Sequence, residues 1–536
     1  MSVVERILYN GKIWTQSPAS PRVSALALIG ERIVASGTDA EMLALAGPNT
    51  IRENLDGGQV IPGLTDAHVH WAMTSCSLQE VNVFELPSKE EALDRVAERV
   101  RSSAAGEWIT GYGWSQDFWP EPHFPAAADL DRVAQENPVY LDAKSGHAAW
   151  VNSAALRLCG LNADTRDPEG GYIGRDDAGQ PNGMLFETAM DLVSERIPRP
   201  DPEQLASLMA TAQQRALAAG LTGLHDFDGP DCLQALQILR ERGELALRVT
   251  KQINCEWIDH ALKSGLRSGF GDDWLRIGAQ KIFADGALGP RTALMLAPYD
   301  DDPENLGVAV VEREEMQALV SRASAAGFAS TIHAIGDRAV HDVLDVFETA
   351  RLEEASRGQD PADLRHRIEH VQLIHPQDIA RLKSLGLVAS MQPLHATSDY
   401  LAAEWGWGDR VKWSYNIRAQ LDLGARVALG SDSPVEPIEP LKSLYAAITR
   451  RRPDGSPGPE GWLPELRLTP AETMQGFTIG PAWATHMDDR LGRLAPGYLA
   501  DLVLLDRDPL ECDPEELPET QVLGTMVGGI WRYRAP

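Results

Sequence analysis

Cysteine is scarce and scattered. The five residues, Cys76, Cys159, Cys232, Cys255 and Cys512, form no CxxC pair, which argues against a disulfide scaffold or a cysteine zinc knuckle. Positive charge is short as well: 49 Lys+Arg stand against 78 Asp+Glu, a net −29. That balance disfavours nucleic acid and anionic membrane surfaces as partners. No apolar run approaches the ~18–20 residues of a membrane span. The opening MSVVERILYNGKIW puts Glu5 and Arg6 where a signal peptide needs an unbroken apolar core, so the expectation is a cytoplasmic, reducing setting. Internal repeats and low-complexity tracts are lacking too. What is present is ordinary globular usage, 43% hydrophobic and 24% charged, which excludes wholesale disorder. A chain of 536 residues suits several domains, or one large barrel with attachments.

Both ends read as β. ILYNGKIW, VSALALIG and RIVASG open the chain; ADLVLLDRD and QVLGTMVGGIWRYR close it. Segments from opposite termini can share one small sheet domain. Between them, strand candidates alternate with helical stretches, the pattern of βα units on a parallel sheet. Eight candidates stand out: 60–70, 221–227, 247–254, 276–286, 328–336, 367–373, 387–393 and 426–434. Helices are expected at 314–327 and 376–386, each closing on a glycine. Eight such units predict an α/β fold, a (β/α)8 TIM barrel. About 150 residues separate strands one and two, far beyond a βα loop. That stretch reads as an inserted subdomain above the barrel mouth, and the helix at 203–220 returns the chain to the barrel. The expected organisation is a β-sandwich from 1–59 and 487–536, barrel strand one in 60–75, the insert in 76–202 and the rest of the barrel in 203–486.

His68 and His70 lie two apart in DAHVH, so period two puts both imidazoles on one strand face. Alone the pair is a weak metal signal. His333 in strand five, His370 in strand six and Asp432 at the end of strand eight change its weight. In a barrel the C-terminal strand ends converge on one mouth, and packing does not explain four histidines and an aspartate there. Lys281 lies in strand four, with Ile277, Ala279 and Phe283 on its strand face. A buried ammonium there is costly. It can pair with a carboxylate. Alternatively, the neutral amine can add CO2 and become a carbamate whose two oxygens bridge two metals. The nearby ligands favour the bridge.

IPGLTDAHVH, KIFADGALGPRTA, HAIGDRAV, HRIEHVQ and GSDSPV resemble the amidohydrolase superfamily, in particular its YtcJ-like, or amidohydrolase-3, branch, which includes N-substituted formamide deformylases. GYGWSQDFWP, GHAAWVNSAAL and LGRLAPGYLADLVLLD extend the resemblance over nearly the whole chain. It implies a metal-dependent hydrolase on a barrel with a terminal β-sandwich. His68, His70 and Asp432 would hold one metal, His333 and His370 a second, and carboxylated Lys281 would bridge them. The family is usually zinc-dependent, although the ligand types accept other divalent ions. The implied activity is hydrolysis of a non-peptide C–N bond, amide or N-acyl, in a small molecule. The implied mechanism uses a metal-bridging hydroxide, with Asp432 shuttling the proton to the leaving nitrogen.

Two other readings compete. A cyclic-amidine deaminase would use one metal and an HxxE pattern on strand five, but no Glu stands three residues after His333. A non-catalytic ligand-binding member of the fold would have lost ligands, and all six candidates are present. Trp114 and His147 in the insert could line a substrate pocket or simply pack. Asp285 and Arg291 could orient the bridge or the substrate. His225 reads as a core or supporting residue, His366 and His375 as surface, and His123 as loop. The chain leaves room for a homo-oligomer.

Overall fold

A computed structural model describes residues 4–84, 86–116, 119–121, 123–143, 148–168 and 170–536. The chain divides into two compact units, Ser75–Gln204 and the remainder.

The larger unit holds the barrel. Its strands are β1 (Leu64–Val69), β2 (Leu221–Asp226), β3 (Arg248–Asn254), β4 (Leu275–Phe283), β5 (Ser330–Ala334), β6 (Arg367–His370), β7 (Val388–Met391) and β8 (Arg426–Leu429). They pair in sequence order and all in parallel. Each falls on one of the eight segments expected from sequence. A parallel bridge from Val69 to Ser433 brings β8 back to β1 and nearly closes the cylinder. Strands buried on both faces read as near-continuous apolar runs, which made them visible in the sequence.

The helix at Arg313–Ala325 is found, as is Pro202–Ala218 before β2. Gly220, Gly327 and Gly386 all sit at positive φ, the conformation that ends a helix without a Cβ clash. The expected helix over 376–386 needs correction. Only Arg381–Ser384 is α-helical, and the preceding residues form turns. Asp378 is drawn aside there, accepting from His341 at 3.0 Å and Arg381 at 3.0 Å.

The termini build a two-sheet sandwich in the same unit. Six strands run in the order 530–534, 522–527, 502–505, 59–62, 12–14, 22–23, mixing both ends of the chain. The facing sheet, in the order 32–37, 25–29, 4–9, 46–54, is N-terminal. Leu8, Leu26, Leu28, Leu502, Leu504 and Met526 share the core between them. The last hairpin turns on Gly528–Gly529 at φ +61° and +73°, the double positive φ of a type I′ turn.

The second unit is a six-stranded mixed sheet in the order 171–175, 181–187, 148–151, 139–143, 109–114, 81–82. Trp114, Trp119 and Trp150 form its aromatic core, with ring centroids 6.2–6.3 Å apart. The helix Lys89–Ser102 buries Ala92, Leu93 and Val96 against that core. Among the described residues, no helix is long and apolar enough to cross a membrane.

Candidate metal centre

Strand register brings the candidate ligands to one end of the barrel. Phe283 pairs with His333 and Ala334 with His370, so β4, β5 and β6 end near one level. Asp432 N–H donates to the His68 carbonyl at 2.7 Å, and His70 N–H to that of Ser433 at 2.9 Å. Asp66 stitches the same ends together, accepting from His68 N–H, Ser431 N–H and the Ser431 hydroxyl. His370 and Asp432 adopt φ of +74° and +63°. Such conformations cost energy in non-glycine residues and cluster at functional sites.

Asp432 lies at the centre. Its Oδ1 is 3.5 Å from Nε2 of both His68 and His70, and its Oδ2 is 4.0 Å from Nδ1 of His370. The His333 and His370 rings are 4.6 Å apart, and those of His68 and His370 4.8 Å. His68, His370 and Asp432 can each offer an atom to one ion.

Each candidate histidine spends one nitrogen on an acceptor. His68 Nδ1 donates to Glu369 at 2.7 Å and His70 Nδ1 to Asp228 at 3.0 Å. His370 Nδ1 donates to Gln392 Oε1 at 2.9 Å, and His333 Nε2 to the Gly286 carbonyl at 2.9 Å. The second nitrogen of each ring is thereby left bare, the state a metal requires. Burial pulls the pKa of His333 down to about 3 and those of His68 and His370 well below normal, which keeps the rings neutral. Burial also opposes charge on His70, but Asp228 and Asp432 outweigh it and raise its pKa.

Among the described residues, the buried polar atoms that have no hydrogen-bond partner within the fold include two at this cluster, His68 Nε2 and Lys281 Nζ. The Lys281 ammonium lies 4.4 Å from the Phe283 ring and 4.8 Å from the Phe227 ring, and among the described residues no carboxylate pairs with it. Burial lowers its pKa to about 8, against a smaller opposing pull from Glu369 and Asp432. Burial raises that of Asp432 to about 6, partly countered by His70 and Lys281. An orphaned His68 Nε2 beside the bare nitrogens of three further imidazoles and the Asp432 carboxylate is what a divalent cation would satisfy, so the donor set fits a metal.

Other sequence-singled residues lie elsewhere. Trp114 is 1% exposed and its indole N–H donates to the Leu141 carbonyl, a packing role in the second unit. His147 lies outside the described residues. Asp285 accepts from three backbone N–H groups, of Leu294, Ile335 and Gly336, and lies 3.5 Å from His333 Nε2, so it braces the loop beside that histidine. Arg291 spends its donors on Asp301 and the Leu288 carbonyl. His225 is a core residue, its Nδ1 accepting from Arg367 at 2.8 Å. The surface reading of His366 is overturned. It is 0% exposed, accepts from Ser330 N–H and pairs with Glu354 at 2.8 Å. His375 is half-buried.

Sequence reasoning missed Glu369, Asp228, Gln392 and His395. Glu369 is held by Arg367 and Thr331 as well as His68. Burial alone would raise its pKa, yet Arg367, His68 and Lys281 hold it well below the usual carboxylate range. The Nε2 of His395 lies 3.6 Å from Asp432 Oδ2.

A (β/α)8 barrel whose mouth gathers bare imidazole nitrogens around one carboxylate defines a metal-dependent hydrolase. The chain belongs to the amidohydrolase family, whose model matches residues 53–533. It is 32% identical to the protein LONG AFTER FAR-RED 3 of Arabidopsis thaliana over 545 residues (99% of this chain, 92% of that one). It is 30% identical to YtcJ of Bacillus subtilis (98% and 99% covered) and 30% identical to an N-substituted formamide deformylase of Arthrobacter pascens (98% of both chains). An uncharacterized metal-dependent hydrolase from Pyrococcus furiosus superposes with a TM-score of 0.79 at 29% identity, over 94% of this chain and 100% of that one. The protein is thus a hydrolytic enzyme on a (β/α)8 barrel.

Proposed function

We propose that the protein hydrolyses a C–N bond of a small amide or N-acyl compound at a binuclear centre. His68, His70 and Asp432 would hold one divalent metal, His333 and His370 a second, and Lys281, carboxylated at Nζ, both. Zinc suits the histidine-rich set. The observation that carries the reading is Lys281: a buried amine with no partner, poised near neutrality, among four histidines. A metal bound here would acidify water and polarise a carbonyl.

The chain's own residues supply the rest. Neutral Lys281 is the form that adds CO2, and its side chain is buried. Glu369, Asp228, Gln392 and the Gly286 carbonyl fix the tautomer of each histidine. Asp432, held at the mouth by its backbone bond to His68, would accept a proton from the attacking water and deliver it to the leaving nitrogen. An amide anion leaves poorly, so that second transfer is needed. The relative named as a formamide deformylase is consistent with this bond type.

The test is a screen of metal-loaded protein against N-formyl, N-acyl, ureido and lactam compounds, reading amine release. Release from a linear N-acyl compound is expected. Ammonia release from cyclic amidines with one metal per chain would replace the reading with a deaminase.

A further inference from the structure

We infer that His395 is a further catalytic residue, whose Nε2–H donates a hydrogen bond to the oxygen of the substrate carbonyl as negative charge develops on it. The inference rests on the C–N hydrolase reading above and adds a group that the metal-site assignment does not use.

His395 lies in the short helix Pro393–Ser398 that follows β7, and its side chain is 6% exposed. Its Nδ1 accepts from Gln372 Nε2 at 3.1 Å. The other end of that amide, Oε1, accepts from the Tyr415 hydroxyl at 3.3 Å, and the oxygen of that hydroxyl lies 2.8 Å from Asp399, whose pKa burial raises to about 6. A ring nitrogen that accepts carries no proton, so the neutral imidazole carries it on Nε2. That N–H is buried and has no partner in the fold. Asp432 Oδ2, at 3.6 Å, is just beyond hydrogen-bonding reach.

This arrangement is the reverse of that at the other four histidines. His68, His70, His333 and His370 each give their proton to an acceptor and present a bare nitrogen. His395 takes a proton donor at its far side and presents an N–H. Its ring lies 5.9 Å from that of His370, so it borders the same cluster. A buried, unpaired donor is costly unless something accepts from it.

Amide hydrolysis supplies an acceptor. The water oxygen bonds to the carbonyl carbon, the C=O π pair moves onto oxygen, and that oxygen becomes an oxyanion. The proton from water goes to Asp432 and then to the nitrogen as the C–N bond breaks. His395 keeps its proton throughout. A preorganised donor aimed at developing charge lowers the barrier because its orientation is already set.

Methylphosphonate serves as a tetrahedral oxyanion probe, so the test does not depend on the natural substrate. His395→Phe keeps an aromatic ring but removes the donor, whereas His395→Gln restores an N–H near the Nε2 position. Both metal-loaded variants are expected to keep the wild-type metal content. Methylphosphonate affinity, read by calorimetry, is expected to fall about ten- to hundredfold in the Phe variant and clearly less in the Gln variant. Unchanged affinity in the Phe variant, equal loss in both, no binding to the wild type, or metal loss on substitution would each overturn the assignment. Failure of the hydrolase reading would show separately, as a wild-type protein that releases no amine.

Discussion

His68 Nδ1 and Glu369 Oε2 lie 2.7 Å apart, and neither side chain has exposed surface. This contact sets which nitrogen of His68 faces Asp432, and so links the polar interior of the barrel to its mouth. Arg367 completes it, bonding both oxygens of Glu369 and the Ala67 carbonyl.

Glu369→Gln is therefore expected to weaken divalent-metal affinity by roughly 10- to 100-fold, since supporting partners of metal-bound histidines carry effects of that size. Chelator competition measures it. Unchanged affinity would mean that His68 needs no such partner.

Asp432→Asn keeps the size of the side chain and removes its basicity. Turnover should fall by at least ~10², while the melting temperature stays near wild type. A near-normal kcat in the purified variant would remove Asp432 from proton transfer.

Lys281 gives a pH signature in metal-free protein. Burial lowers its pKa from 10.5 to about 8. Between those values the unfolded chain binds the proton and the folded one does not, so stability from this group rises with pH across that window. Below about 8 the folded state carries the cost of a buried ammonium, on the order of 3 kcal/mol. Lys281→Met lacks the effect. The variant is expected to be the more stable near pH 7, and its advantage should shrink toward pH 10, as read by urea unfolding.

Trp114 tests a packing role. It is fully enclosed with Trp119 and Trp150. Trp114→Ala should cost about 3–5 kcal/mol of stability and lower activity on all substrates alike. A shift in substrate preference at unchanged stability would instead make it a pocket residue.

The barrel was legible because parallel strands are apolar on both faces. The strand Ala46–Asn54 was not: its register with Val4–Tyr9 jumps from Ala46 to Ile51, leaving Gly47, Pro48 and Asn49 outside the ladder. Strand ends pointed to the four histidines and Asp432, and an apolar strand face to Lys281, but their supporting groups carry no spacing signal. Arg367 and Glu369 share one parity along β6, and His370 falls on the other with Ile368. Left-handed φ at His370 and Val371 departs from that alternation, a turn that residue spacing does not encode. His366 lies outside the motif positions and reads as surface, yet it is buried and bonded to Ser330 and Glu354. His395 lies just past the end of β7, where no pattern marks it.

The binuclear centre bridged by Lys281 is tested most directly by a crystal structure of protein loaded with divalent metal and bicarbonate, read at Lys281 Nζ. The account predicts a planar carboxylate on Nζ lying between two metal peaks, one beside His68 and His70 and one beside His333 and His370. A bare Lys281 amine in a fully metallated, active enzyme would contradict it.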